Sequence, residues 1–396
     1  FLRDVLAAGY RGPLSLEIFN DEFRSAPARR IARDGLRGLV WAEEGAGVAP
    51  APPAPPVLSG IEFVEFAVDD AAGEELGAFL GTLGFRVAGR HRSKAVTLHR
   101  NGDVNLVLNA EPDSAASERF EQHGPCVCAL GFRVDDPERA LARAEAMLSP
   151  TFRERTGEGE RRIPAVRAPD GTLIYLVEAT DAATRRIWED DFHLEESAPA
   201  EPPGRFGGVD HVAQALTADM MDSFSLFYRA VFGLEPDAQW ELPDPYGLVR
   251  SRAFTGGGGS VRLPLNTSES GRTGTGRFVS AFAGAGVHHI AFCTADAAAA
   301  AEAAAGRGAP LLDIPGNYYE DLGARLGLED EALADLRHHH LLFDRGAAGG
   351  TFRHAYTLPF QDRFFLEIAE RAGGYDGFGA ANAGARMAAQ QRPQRR

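Results

Sequence analysis

The sequence predicts an α+β protein made of two tandem copies of one large module, preceded by a short βα piece. Two repeats and one break in composition predict it. Strand-like apolar runs recur in the same order in both halves: GIEFVEFAVDD at Gly60 matches GVDHVAQALTAD at Gly208, and CVCALGFRVDD at Cys126 matches GVHHIAFCTAD at Gly286. Within each half the order strand, helix, three short strands occurs twice, which makes four βαβββ units. Ahead of them, residues 45–58 read GAGVAPAPPAPPVL, and five prolines there favour an extended, semi-rigid spacer that marks a domain boundary.

Residues 1–44 read as helix, strand, helix. FLRDVLAAG closes on Gly9, PLSLEIFND is an apolar run, and Pro27 to Glu44 has helical spacing with the proline tolerated in the first turn. An apolar strand of this kind needs neighbours on both faces, so the stretch reads as one βα unit of a larger body. Glu17 falls near the carboxyl end of that strand, where an αβ-barrel carries its metal-binding residues. Spacing alone leaves two readings of it, a metal ligand or a carboxylate paired with a cation such as Arg11.

The first module takes residues 59–200 and the second 201–396. GEELGAFLGTLGF is answered by SFSLFYRAVFGLE, NLVLN at Asn105 by RLPLN at Arg262, and DGTLIYLVE at Asp170 by DRFFLEIAE at Asp362. GGGGS at Gly256 lacks the lysine of a phosphate-cradling loop and reads as a hairpin connection between Phe254 and Val261. ADAAAAAEAAAG at Ala295 is a helix ended by Gly306 and Gly308. His338 to His340 are consecutive, so they cannot all face one ion and read as a helix-end cluster.

Composition narrows the function classes. With 44% hydrophobic residues in 396, the chain can bury a large core and hold two or three domains. A net charge of −15 without a basic stripe argues against nucleic acid as a partner. Three cysteines form neither a disulfide framework nor a paired zinc motif, which fits a reducing compartment. No apolar run reaches membrane-spanning length, and the chain opens on Phe1 without a leader pattern, so it reads as a cytoplasmic protein and as a piece of a longer one.

Three residues point to chemistry. His211 lies 78 positions before His289, and Glu367 lies 78 positions after it. Each sits in an apolar run, so each can project from a sheet into a common interior. Two histidines and one carboxylate form a facial metal site with positions left for a chelating substrate and O2, as in non-haem Fe(II) oxygenases; zinc suits the same ligands. The repeat supplies a control. Phe63, Ala129 and Tyr175 occupy the equivalent places in the first copy, so all three polar residues occur together in one copy and are absent together from the other. The run Val261 to Asn266 at the fourth equivalent place offers no further ligand, which leaves the site open.

DHV at Asp210, HHIAF at His288, QDRFFLEI at Gln361 and GGYDGFGAAN at Gly373 resemble the 4-hydroxyphenylpyruvate dioxygenases of the vicinal oxygen chelate superfamily, over residues 58–382. The resemblance implies two tandem vicinal oxygen chelate modules, with His211, His289 and Glu367 as ligands of Fe(II), or of Mg, Mn, Co or Zn. It implies that Ser251 and Asn266 contact a small aromatic or 2-oxo acid substrate and that Phe378 acts as an aromatic lid. The implied reaction is 2-oxo acid chelation, O2 reduction with loss of CO2, and oxidation of the remainder. Three residues depart from the family: His288 stands where a glutamine is usual, His354 replaces another pocket glutamine and is implied as a site residue beside Ser251, Asn266 and Phe378, and Ala383 stands where a substrate-stacking Phe is expected. Strand alternation is expected to turn His288 away from the side His289 faces.

LSLEIFND followed by FRSAPARRIARDGLRGL resembles the last strand and helix of a sugar phosphate isomerase type (β/α)8 barrel, as in two-domain 3-dehydroshikimate dehydratases that form protocatechuate. Glu17 is then implied as the last metal ligand of that barrel, and the chain covers the second half of such a fusion with only a stub of the first. Two functions follow as expectations: a dioxygenase-type enzyme half, or a metal-bound scaffold that supports the dehydratase barrel without turnover. Both allow a homo-oligomer.

Overall fold

The apolar runs Leu58–Ala67, Cys126–Val134, Gly208–Leu216 and Gly286–Cys293 become the central strands of two mixed sheets. They are buried along most of their length, as strands covered on both faces must be. In each sheet two of these strands lie antiparallel side by side, and each has a parallel neighbour on its other flank. The computed structural model describes residues 1–24, 26–153, 156–157, 159–195 and 204–392, and among these residues each sheet has nine strands. The expected module boundary at 200 and 201 lies outside the described residues.

Helices Asp70–Thr82, Pro137–Ala146 and Ala297–Gly306 each start on an aspartate, at Asp69, Asp136 and Asp296, whose side chain accepts from a free amide of the first turn. Apolar side chains join the two halves: Phe66 meets Phe364 at 5.0 Å between ring centroids, and Phe85 meets Phe292 at 5.2 Å.

The register of the two sheets is the same around the candidate ligands. Phe63 pairs with Gly131 and Gly131 with Tyr175; likewise His211 pairs with Ala291 and Ala291 with Glu367. Phe63, Ala129 and Tyr175 lie in one buried apolar cluster, with the Phe63 and Tyr175 rings 5.7 Å apart.

The amino-terminal stretch differs from expectation. Helices Leu2–Ala7 and Ala28–Ala46 form, but residues 13–20 form no strand. A strand requires a ladder partner, and among the described residues none pairs with this segment. Phe19 is 92% exposed, and Glu17 is exposed as well. The proline-rich spacer is not free of the body either. Buried Arg143 pairs with Glu44 at 2.8 Å and donates to the carbonyls of Pro53 and Ala230, which ties helix, spacer and both halves together.

Candidate metal centre

Three adjacent strands build the site. His211 is on Gly208–Leu216, His289 on Gly286–Cys293 and Glu367 on Phe365–Ala372. His211 and Glu367 both pair with Ala291, and His289 lies two residues from Ala291, so the strand period keeps all three on one face. His211 Nε2 lies 3.2 Å from Glu367 Oε2, His289 Nε2 lies 3.5 Å from the same oxygen, and the two nitrogens are 3.3 Å apart. An ion about 2.1 Å from each atom would separate them by roughly 3.0 Å at octahedral angles and roughly 3.4 Å at tetrahedral ones. The separations fit either geometry.

The donor chemistry fits a cation too. Glu367 Oε2 is buried and has no hydrogen-bond partner. His211 Nδ1–H donates to Asp210 Oδ1 at 2.7 Å, which leaves Nε2 facing that oxygen and the other imidazole. Burial alone would raise the Glu367 carboxyl, but His211 and His354 outweigh it and hold it well below its ordinary range. Burial would likewise lower His211, but Glu367 and Asp210 raise it to about 9, whereas burial pushes His289 well down. An ion bound here therefore displaces a proton from His211.

The surrounding residues orient the three. Asp210 is the extra residue of a β-bulge, since Val209 pairs with Phe292 and His211 with the adjacent Ala291. The bulge lets a residue next to His211 reach its ring, which regular alternation forbids. Arg371 donates to both Asp210 oxygens, and His354 sits behind Glu367, with its Nδ1–H donating to Oε1 at 2.9 Å while Asn382 donates to its Nε2 at 3.0 Å. His354 thus faces the back of Glu367 and does not line the cavity, which corrects its expected place in the pocket. A second bulge, where Ala213 pairs with His289 and Gln214 with Val287, makes His288 the extra residue. Both rings lie against Phe365, at 4.9 Å for His288 and 4.8 Å for His289, but only His289 lines the cavity, and His288 turns toward Phe278 at 5.0 Å.

A cavity of about 590 Å³ opens in front of His211 and His289, and Ser251, Asn266, Phe378 and Ala383 also line it. Ser251 and Asn266 face each other across neighbouring strands. The Phe378 ring stands edge-on to His211 at 5.7 Å. The first half holds a cavity of about 640 Å³ walled by Phe63, Tyr175 and Trp188, so chemistry, not volume, distinguishes the site. Among the described residues, His211, His289 and Glu367 form the one group of three metal-ligating side chains, and Glu17 is not brought near such a group. Residues missed in the sequence are Arg371, Asn382 and Arg386. A signal existed for two of them: Arg371 follows Glu367 by four positions on one strand, and Arg386 follows Ala383 by one helical turn.

Two mixed sheets in matching register, with an open site of two histidines and a carboxylate in one of them, define a protein of the glyoxalase and dioxygenase class. Residues 53–193 match the family described as hydroxyphenylpyruvate dioxygenase, HPPD, N-terminal, and residues 208–362 match the glyoxalase/bleomycin resistance protein/dioxygenase superfamily. The chain is 32% identical to a 4-hydroxyphenylpyruvate dioxygenase of Pseudomonas aeruginosa, over 82% of this chain and 90% of that protein. It belongs to the 4-hydroxyphenylpyruvate dioxygenase family. It is also 49% identical to a 3-dehydroshikimate dehydratase of Pseudomonas putida, over 98% of this chain and 63% of that protein. The chain therefore spans less than two thirds of that curated relative. A solved xylose isomerase-like TIM barrel/4-hydroxyphenylpyruvate dioxygenase fusion protein is 46% identical with a TM-score of 0.86, again over 98% of this chain and 63% of the other. No helix among the described residues is long and apolar enough to cross a membrane.

Proposed function

We propose that residues 201–396 form a metal-dependent site of the 4-hydroxyphenylpyruvate dioxygenase type for 2-oxo acids and O2, in a longer protein that also carries a 3-dehydroshikimate dehydratase barrel. The observation that carries the first part is the unpartnered Glu367 Oε2 at 3.2 and 3.5 Å from two imidazole nitrogens. His211, His289 and Glu367 hold the ion. Fe(II) in this position would supply the O2-dependent oxidation of a chelated 2-oxo acid, and Mg, Mn, Co or Zn are the alternative occupants. Asp210 holds His211 in the tautomer that presents Nε2, Ser251 and Asn266 hydrogen-bond the small-molecule substrate, and Phe378 covers it against water.

Residues 1–44 are then the last βα unit of a xylose isomerase-like barrel, 45–58 the spacer, 59–200 a module without an ion and 201–396 the module with one, four βαβββ units in all. The length of the dehydratase relative and the description of the solved fusion support a barrel joined to these modules. Glu17 then joins other ligands around a divalent ion in the complete barrel.

A second reading has its own observation. Helix Ala28–Ala46 is held to both halves, by Arg37 donating to the Met147 carbonyl at 2.7 Å and by Ser223 donating to Asp34 at 2.7 Å, as expected of a scaffold that braces a preceding barrel. Metal analysis and O2 uptake separate the readings. One ion per chain, lost in His211→Ala and Glu367→Ala, with O2 consumed beside a 2-oxo acid, supports the enzyme. A bound ion without O2 consumption by any 2-oxo acid supports the scaffold, and failure to retain an ion sinks both.

A further inference from the structure

The wall of the metal-side cavity contains a cation that the site described above leaves without a task. Arg386, on helix Ala383–Gln390, lines this cavity with His211 and His289 and is 9% exposed. Its Nη1 donates to Gln390 Oε1 at 2.8 Å, and its guanidinium carbon lies over the rings of Tyr356 at 5.4 Å and Phe365 at 5.5 Å. The same rings flank His289, at 6.3 and 4.8 Å, so the cation and the candidate ion position share one wall. Arg30, Arg262 and Arg371 each face a carboxylate, whereas among the described residues Arg386 has no ion pair.

Charge counting indicates what belongs beside it. Two neutral imidazoles, one carboxylate and a divalent ion leave one positive charge, which the carboxylate of a chelating 2-oxo acid neutralises. Arg386 then remains as a buried charge, and a buried charge is costly until it is paired. The acidic residues at the cavity mouth do not pair with it: Asp237, Glu241 and Asp376 are exposed to solvent, which screens them, and Asp344 accepts from Tyr375 at 2.6 Å. Ala383, one turn before Arg386, leaves room for a substrate group between the helix and the ion position.

We propose that Arg386 is a specificity-determining residue, and that the site takes a dianionic 2-oxo acid whose second carboxylate, distal to the chelating end, pairs with its guanidinium. This rests on the metal-chelate reading of His211, His289 and Glu367. The fork of a guanidinium matches a carboxylate in two parallel hydrogen bonds, which sets the second acid in one orientation.

Calorimetric titration of the Co(II)-loaded chain with phenylpyruvate and with 4-carboxyphenylpyruvate tests it, since the two differ only in a distal carboxylate. The dianion should bind about ten to a hundred times more tightly, and the ratio should collapse in Arg386→Leu and persist in Arg386→Lys. Equal affinities in the unmodified chain, a comparison that needs no variant, would overturn the assignment, as would a preference that survives in Arg386→Leu. If phenylpyruvate binding depends on Co(II) and on His211 but shows no preference, this inference alone fails. If neither acid binds in a Co(II)-dependent way, the metal-chelate reading fails with it.

Discussion

Arg371 grips Asp210 with two nitrogens, Nε to Oδ2 at 2.6 Å and Nη2 to Oδ1 at 2.8 Å, and Asp210 in turn accepts from His211 Nδ1 at 2.7 Å. The same guanidinium donates to the carbonyl of Gly377 and lies 5.6 Å from the Phe378 ring, so one side chain joins the back of His211 to a segment that lines the cavity. Residues that orient a metal-bound imidazole typically contribute about ten- to a hundredfold in metal affinity. We expect Asp210→Asn and Arg371→Met to weaken Co(II) binding by about that factor, measured by competition with a chelator. Unchanged affinity in both variants would show that His211 needs no support from this pair.

His354 plays the matching part behind Glu367. Its imidazole supplies the donor to Oε1, and Tyr356 OH lies 3.0 Å from the same ring nitrogen. His354→Ala leaves a buried carboxylate oxygen without that donor, a loss of about 1 to 3 kcal/mol. Denaturant unfolding of the metal-free chain should show a drop of that size, with His354→Gln, whose amide can donate, falling between the two. An His354→Ala variant as stable as the parent would refute the role.

Ala383 lines the cavity and packs with Val249 and Met387. A phenylalanine there would add about 2 to 3 kcal/mol of burial and about 1 kcal/mol of aromatic pairing to a bound ring. We therefore expect the unmodified chain to turn over 4-hydroxyphenylpyruvate poorly and Ala383→Phe to bind it about a hundred- to a thousandfold more tightly. Rapid homogentisate formation by the unmodified, iron-loaded chain would contradict this.

In the first half, burial would raise the Glu160 carboxyl, but donors on Ser93, on the Gly157 backbone and on Lys94 hold it down at about 2. Its folded value lies below its unfolded one, so its contribution is complete above about pH 4.3 and is lost as the pH falls toward 2. Glu160→Gln should lower stability at neutral pH and flatten the decline of stability across that acid window. Parallel stability curves for the two proteins from pH 5 to 2 would rule it out.

The positions of His211, His289 and Glu367 were legible because each interrupts an apolar run at equal spacing, and the first copy showed what the same positions hold when only packing is required. The fold class was legible for the related reason that period-two apolar runs and their order are local properties of the chain. Three things were not local. Asp210 and His288 reach their partners through bulges, and a bulge exists only in the register between two strands. The partner of Asp210 lies 161 residues away, so its ion pair has no signature in either segment. Residues 13–20 have the composition of a strand yet form none, because a strand is completed by the backbone groups of a neighbour and not by its own side chains. Sequence by itself determined which residues are polar where the core should be; only the tertiary structure decided which of them meet, since that depends on strands brought together from distant parts of the chain.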